Sequence, residues 1–291
     1  MYDILIAGYP KSGNTWLTRL TAELADCPAR GFWGQKSHID GSEEGENRQS
    51  DFRCFKAHHT YAKMLDHVTE RPIKVIYVVR DPRDVIISSA HFFNFRDFFA
   101  NEFNWREQTR PPLAKVSHIN DGLAALHFPR TGIFDVLHTQ ELLPRDFYRI
   151  FMAPTLNSLT YKISLIMTGV LFGNPSLHSW TNVSWQEHIQ SYRNTDCLFI
   201  QYENMLQDAP KECRKICTYL GIERTDAQIQ QAVDNQSFEK KKAFFESQGE
   251  WNKSAFLRQG RHGQWRGILK PSQTRLIRRV LRKEMAALNY T

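Results

Sequence analysis

Residues 73–79, Ile-Lys-Val-Ile-Tyr-Val-Val, form an almost unbroken run of β-branched and aromatic side chains. A strand with one wet face alternates apolar and polar positions, whereas a strand covered on both faces stays apolar, as these residues do. The run predicts a central strand of a parallel sheet, and that expectation constrains the rest of the chain. Parallel neighbours cannot be joined by tight turns; each needs a crossover, usually helical. The sequence supplies such crossovers. Residues 2–7 (YDILIA) read as a short buried strand, followed by a turn over residues 8–13 and a helix from about Asn14 to Ala25. Arg53 to Lys56 and Cys197 to Gln201 read as further strands, and residues 203–220 and 272–288 as helices. After Arg80-Asp81-Pro82 another helix begins, with Asp81 as N-cap and Pro82 at the first helical position. This alternation implies a three-layer α/β/α fold around a central parallel sheet, whose ligands sit at the carboxyl ends of the strands.

Two stretches depart from the alternation. Gly31 to Ser50 is polar and carries Glu43, Glu44 and Glu46, while residues 94–183 are long and mixed. A structureless loop of about 90 residues does not suit a compact domain, so the second stretch is expected to hold several helices and to build much of a pocket wall. No internal repeat and no Pro/Ser-rich linker divides the chain, which reads as a single domain, 1–291, with a long insert at about 94–183. Hydrophobic residues at 41% and charged residues at 24% fit a packed core rather than a disordered chain.

Five cysteines, Cys27, Cys54, Cys197, Cys213 and Cys217, lack CxxC spacing and point to reduced thiols rather than a disulfide framework or zinc site. The eleven histidines contain neither HxxxH nor HExxH, so no metal is expected. The start lacks the basic segment and apolar core of a signal peptide. The longest uncharged apolar run, Ile163 to Phe172, has ten residues, where a membrane-spanning helix takes about 20. The expectation is a cytoplasmic protein without stable membrane insertion, in which residues 163–172 form a buried or pocket-lining helix.

Lys plus Arg number 38 against 31 Asp plus Glu, a formal charge of +7, and the excess suggests an anionic partner such as a nucleotide, a nucleic acid or a membrane surface. One motif narrows the choice. Gly8-Tyr9-Pro10-Lys11-Ser12-Gly13-Asn14-Thr15-Trp16 lies between the first strand and the first helix. Such a turn aims backbone N–H groups and a helix N-terminus at an anion. It is not a Walker A loop, because no Gly-Lys-Ser/Thr closes it and Lys11 precedes the last glycine.

Taken with four further motifs, the loop resembles that of the sulfotransferases that use 3′-phosphoadenosine 5′-phosphosulfate (PAPS). The family's YPKSGTTW loop is matched by YPKSGNTW, with a departure at Asn14, and its Phe-Lys-x-His by Phe55-Lys56-Ala57-His58. The family's 3′-phosphate element is matched from Arg80 to Ser88. Tyr202-Glu203-Asn204-Met205 is similar to YEDM, and Arg258-Gln259-Gly260-Arg261-His262-Gly263-Gln264-Trp265 to RKGxxGDW. The resemblance is carried by residues 2–95 and 184–270, and it is thin between them.

The resemblance implies a P-loop NTPase-like sulfotransferase fold, PAPS as donor and 3′-phosphoadenosine 5′-phosphate (PAP) as product, with no metal. Lys11, Ser12, Gly13, Asn14 and Thr15 would meet the 5′-phosphosulfate. Arg80, Ser88, Arg258, Gln259 and Gly260 would serve the 3′-phosphate side, Trp16, Tyr202 and Phe238 the adenine, and Ser237 would also bind the donor. His58 is expected to be the general base, with neighbouring His59 as a competing assignment, and Lys56 and Lys11 to neutralise charge on the sulfuryl oxygens and leaving phosphate. Gln259 stands where the family has Lys and Gln264 where it has Asp.

The expected activity is transfer of a sulfuryl group to a hydroxyl or amine of a small-molecule acceptor, in the manner of a bacterial enzyme of secondary metabolism, with no nucleic-acid partner. Two other readings stay open at this level: a P-loop phosphotransferase or kinase, and a non-catalytic nucleotide-binding module. The first lacks a Walker A lysine at the proper spacing, and the second would not require His58. Arg275, Arg278, Arg279, Arg282 and Lys283 give the last helix a basic face with no assigned role.

Overall fold

The structure, a computed structural model, describes residues 2–34, 43–67, 71–92, 158–174, 182–247, 249 and 260–290. Contacts divide the chain into two compact units, the first Met1–Asp81 with Glu187–Gln264 and the second Pro82–Gln186 with Trp265–Thr291.

In chain order the strands are β1 (Tyr2–Ala7), β2 (Ala29–Phe32), β3 (Phe52–Ala57), β4 (Ile73–Val79) and β5 (Cys197–Gln201). The helices are α1 (Asn14–Leu24), α2 (Tyr61–Leu65), α3 (Pro82–Phe92), α4 (Leu159–Phe172), α5 (Trp185–Arg193), α6 (Tyr202–Gln207), α7 (Ala209–Leu220), α8 (Asp226–Asn235), α9 (Phe238–Ser247), α10 (Pro271–Val280) and α11 (Arg282–Ala287). A short 3₁₀ turn covers Gln264–Gly267.

The first unit is built on the sheet, whose strands among the described residues run in the order β2-β3-β1-β4-β5, with the named pairs all parallel. The expected parallel α/β sheet is therefore present. The chain passes from β1 to the edge strand β2, returns to β3 between the two, then crosses to β4 on the other side of β1. That reversal makes the carboxyl end of β1 the switch point where a crevice opens in a doubly wound sheet. Registers Ala7↔Ala57 and Ala7↔Tyr77 bring the residues after β1, β3 and β4 side by side. Ile4, Leu5 and Ile6 are wholly buried, as are Ile76 and Tyr77, which explains why Ile4–Ala7 and Val75–Val79 read as continuous apolar runs. Helices α1, α7 and α8 cover one face through Leu17, Leu20, Cys213, Ile216 and Ile229.

Three boundaries differ from the sequence expectation, one of them inside the helix expected over 272–288, which is divided at Leu281 (φ −98°, ψ 18°) into α10 and α11. The helix expected over 203–220 is broken at Asp208, whose φ of −150° leaves the helical region and whose carboxylate accepts from Lys211 N. Pro210 has no N–H to continue the preceding helix and suits the first turn of a new one. The polar stretch from Gly31 also conceals part of an edge strand, since β2 is only Ala-Arg-Gly-Phe and alternates buried and open positions.

In the second unit, α3 and α4 pack together and α10 rests on α3. The Ile163–Phe172 run lies in α4, buried from Ile163 to Leu171, as an all-apolar helix in a globular unit must be. Arg83, itself buried, stacks over the Trp265 ring at 3.9 Å, and Trp265 N donates to Asp84 Oδ1 at 3.2 Å. No helix among the described residues is long and apolar enough to cross a membrane.

Candidate active site

The loop after β1 is shaped by backbone requirements before any ligand is considered. Gly8 has no space for a side chain, because a Cβ would stand 2.6 Å from Val78 O. Gly13 has φ 106° and faces the Tyr202 ring, 2.6 Å from where its Cβ would be. Lys11, although not a glycine, is also left-handed at φ 67°, a conformation that costs about 1–2 kcal/mol and is found where surroundings over-determine it. The tight turn is closed by Ser12 N donating to Tyr9 O, 3.2 Å. Because α1 starts directly after Gly13 with no side-chain cap, its first-turn N–H groups lack intrahelical partners and carry the positive end of the helix dipole. Ser12 Oγ is buried without a hydrogen-bond partner.

Asn14, the departure from the resembling loop, has a structural task. Its Nδ2 donates to Gly8 O at 3.1 Å and to Ala57 O at 3.4 Å, tying the ends of β1 and β3. At the β3 end, Lys56 is almost fully buried, donates to Thr15 Oγ1 at 3.2 Å and lies over the Phe32 ring at 4.1 Å. Two residues on, His58 Nδ1 is 2.9 Å from Gly8 O. A carbonyl only accepts, so Nδ1 carries the proton and, in the neutral ring, Nε2 keeps its lone pair. Part of the His58 surface is open, yet packing around the ring holds its pKa well below the usual 6.5, helped by the charges of Lys56 and Lys11. The His59 ring points into different company, 6.2 Å from His67.

Arg80 leaves the end of β4 and spans the first unit. Its Nη1 donates to Lys11 O and its Nη2 to Arg261 O, both at 3.1 Å, and its guanidinium lies 4.3 Å above the Tyr202 ring. The fork expected for a phosphate thus also braces the loop that carries Lys11. Gln264, whose place the sequence left unexplained, donates to the same Arg261 carbonyl at 3.1 Å. Asp81 N donates to Glu203 Oε1 at 3.0 Å, which links the end of β4 to α6.

The aromatic candidates come together. Trp16 meets Tyr202 edge-on at 5.8 Å and donates its indole N–H to Gln236 O at 3.0 Å, beside Ser237 and Phe238. Phe238 packs against Gly260, with its Cδ2 2.9 Å from where a Cβ would be. Ser237 Oγ accepts from Lys240 N in the first turn of α9. Ser88 lies on α3, in the second unit, and is half-buried. Arg258 and Gln259 lie outside the described residues.

One group of residues went unnoticed in the sequence. His188 and Tyr192, four apart on α5, are both wholly buried. His188 Nε2 reaches His58 O at 3.1 Å, Tyr77 OH reaches His188 Nδ1 at 2.8 Å, and Tyr192 OH donates to His59 O at 2.7 Å. The available signal was a polar residue in the middle of the apolar β4 run, Tyr77, together with a His and a Tyr at helical spacing.

The arrangement is a left-handed turn opening onto a helix N-terminus, with two lysines, a histidine and a cluster of aromatic rings, at the switch point of a parallel sheet. The sulfotransferase-domain profile matches residues 2–289, across both units and through the 94–183 segment. The chain is 22% identical to sulfotransferase 1A1 of Bos taurus, over 98% of this chain and 83% of that one. Mouse sulfotransferase SULT7A1 complexed with PAP shares the fold with a TM-score of 0.56 at 20% identity, covering 98% of this chain and 84% of that one. A retinol dehydratase in complex with androsterone and inactive cofactor PAP gives 0.52 at 17%, covering 97% and 80%. The match spans nearly every residue, and the chain belongs to the sulfotransferase domain family.

Proposed function

We propose that this chain transfers a sulfuryl group from PAPS to a hydroxyl or amine of a small-molecule acceptor met in the cytoplasm, with His58 as general base. The observation that carries the reading is the 2.9 Å bond from His58 to Gly8 O, which commits Nδ1–H to the loop and puts the basic lone pair of the neutral ring on Nε2. The buried Ser12 hydroxyl without a partner is the fit test for the donor, since an anion oxygen would satisfy it. Ser12, Gly13 and the first turn of α1 would hold the 5′-phosphosulfate, with Lys11 and Lys56 stabilising charge on the oxygens around sulfur and on the leaving phosphate. Arg80, with Arg258, Gln259 and Gly260, would serve the 3′-phosphate, Trp16, Tyr202 and Phe238 the adenine, and Ser237 would also bind the donor. PAP in the mouse structure and androsterone in the retinol dehydratase are in keeping with this donor and with an apolar acceptor.

Chemistry follows from positioning and charge. As the acceptor atom attacks sulfur, the bond from sulfur to the phosphate oxygen breaks, PAP departs and the acceptor proton passes to His58 Nε2. His58 is held neutral by burial and by two nearby lysines; a polyanionic donor facing those lysines offsets their charge and raises the basicity of the ring. Calorimetry against PAP, ATP and an oligonucleotide tests the donor assignment: tight binding of PAP alone is expected, and a preference for ATP overturns it. His58→Ala should bind PAP but lose sulfuryl transfer by at least about 100-fold, while His59→Ala keeps most of it.

A further inference from the structure

We propose that His188, with Tyr77 and Tyr192 behind it, is a positioning residue that sets the orientation of the His58 imidazole through its backbone; this rests on the reading of His58 as the base. The His58 carbonyl can only accept, so His188 Nε2 is the donor across their 3.1 Å contact. In the neutral His188 ring Nδ1 is then an acceptor, and the Tyr77 hydroxyl, 2.8 Å away, donates to it. Direction is thereby fixed along the whole chain, from Tyr77 O–H through the His188 ring to the His58 C=O. Burial keeps His188 in that neutral state, with its pKa pushed down to about 4.

The next carbonyl is held as well, by Tyr192 OH on His59 O at 2.7 Å. Two successive peptide planes at the exit of β3 are therefore fixed by α5, while the side chain of His58 is fixed separately by Gly8 O. Tyr9 of the anion loop packs edge-on against His188 with ring centroids 5.7 Å apart, so one imidazole touches the loop, the sheet and the base-bearing strand end. Without the His188 bond the His58–His59 peptide can rotate, and rotation there swings the ring away from Gly8 O. The Nδ1–H tautomer then has no fixed acceptor, and Nε2 is no longer reserved for the acceptor proton. A group whose only task was to fill space would need neither the ring nitrogens nor the two hydroxyls.

The test is histidine-selective ¹⁵N NMR, which needs no acceptor. The wild-type chain and His188→Gln, whose amide N–H reaches the same carbonyl, should both show His58 locked as the Nδ1–H tautomer. His188→Leu should average the two His58 nitrogens while keeping PAP affinity within about threefold, because it changes none of the residues that would hold the donor and Leu keeps an apolar contact to the Tyr9 ring. Unchanged His58 shifts in His188→Leu, or averaging in His188→Gln as severe as in His188→Leu, overturn the proposal. If His188→Leu does not fold, Tyr77→Phe serves, removing only the hydroxyl that fixes the His188 tautomer; unchanged His58 shifts there also overturn it. The base assignment fails separately: undiminished sulfuryl transfer from PAPS to 2-naphthol by His58→Ala removes the base while leaving the tautomer result to stand.

Discussion

At the scale of single residues, the loop after β1 concentrates backbone strain. Lys11 adopts φ 67° and Gly13 φ 106° within three residues. A Lys11→Gly substitution removes a left-handed side chain, worth about 1–2 kcal/mol, and adds glycine's unfolded-state entropy, about 0.5–1 kcal/mol. The expected result is a chain as stable as the parent or slightly more so, measured by urea denaturation, with PAP affinity lower by about tenfold or more because a charge is gone. A clear loss of stability would show that the Lys11 side chain itself supports the fold. Gly13→Ala should move both quantities the other way for stability and the same way for binding. Its Cβ meets the Tyr202 ring at 2.6 Å and its φ suits no L residue, so about 1–3 kcal/mol is lost together with the aromatic slot. These residues were legible in the sequence because loop chemistry is written locally, as Pro-Lys-Ser-Gly. His188 and Tyr77 were not, because their bond joins positions 111 apart in the chain, and only the register of β4 and the docking of α5 bring them together.

At the scale of elements, the parallel strands were legible wherever both faces are buried. β1 and β4 read as continuous apolar runs for that reason, whereas β2, an edge strand of four residues including Arg30 and Gly31, carries no such pattern. The helix break at Asp208 was missed because the apolar period continues through it, and the competing signal, an acidic N-cap followed by Pro210, is short. Asn14 works between elements. It is buried and joins Gly8 O to Ala57 O, so it holds the end of β1 to the end of β3 at the position where the resembling loop has Thr. Asn14→Ala leaves two strand-end carbonyls short of a donor in a buried place, which costs about 1–3 kcal/mol. His58 Nδ1 still donates to Gly8 O. The stability loss is expected in a urea midpoint, and the His58 tautomer should persist by ¹⁵N NMR. A chain that loses the tautomer as well would show that Asn14, rather than Gly8, fixes the ring.

At the scale of the whole molecule, the buried histidines determine how stability depends on pH. His188 and His58 are both held neutral by burial, His188 at about 4 and His58 well below the ordinary 6.5; His59 is lowered too, by burial and by Lys63 and His67. Unfolded, each returns to about 6.5 and binds a proton that the folded chain refuses. The unfolded state therefore holds more protons between pH 6.5 and 4, and stability rises with pH across that window and falls as the pH drops through it. Each fully contributing histidine adds a slope of about 1.4 kcal/mol per pH unit. Glu23 is lowered as well; its contribution is complete above the ordinary carboxylate range and is lost as the pH falls through its lowered value, so it adds to the histidine slope only at the acid end of the window. Urea midpoints followed by tryptophan fluorescence between pH 7 and 4 should fall steeply for the parent chain and less steeply for His188→Gln, by one histidine's share. Equal slopes for the two chains would mean that His188 is protonated in the folded protein. The carbonyl of His58 would then still have its donor, but the Tyr77 hydroxyl would face an N–H and would have to reverse its role from donor to acceptor.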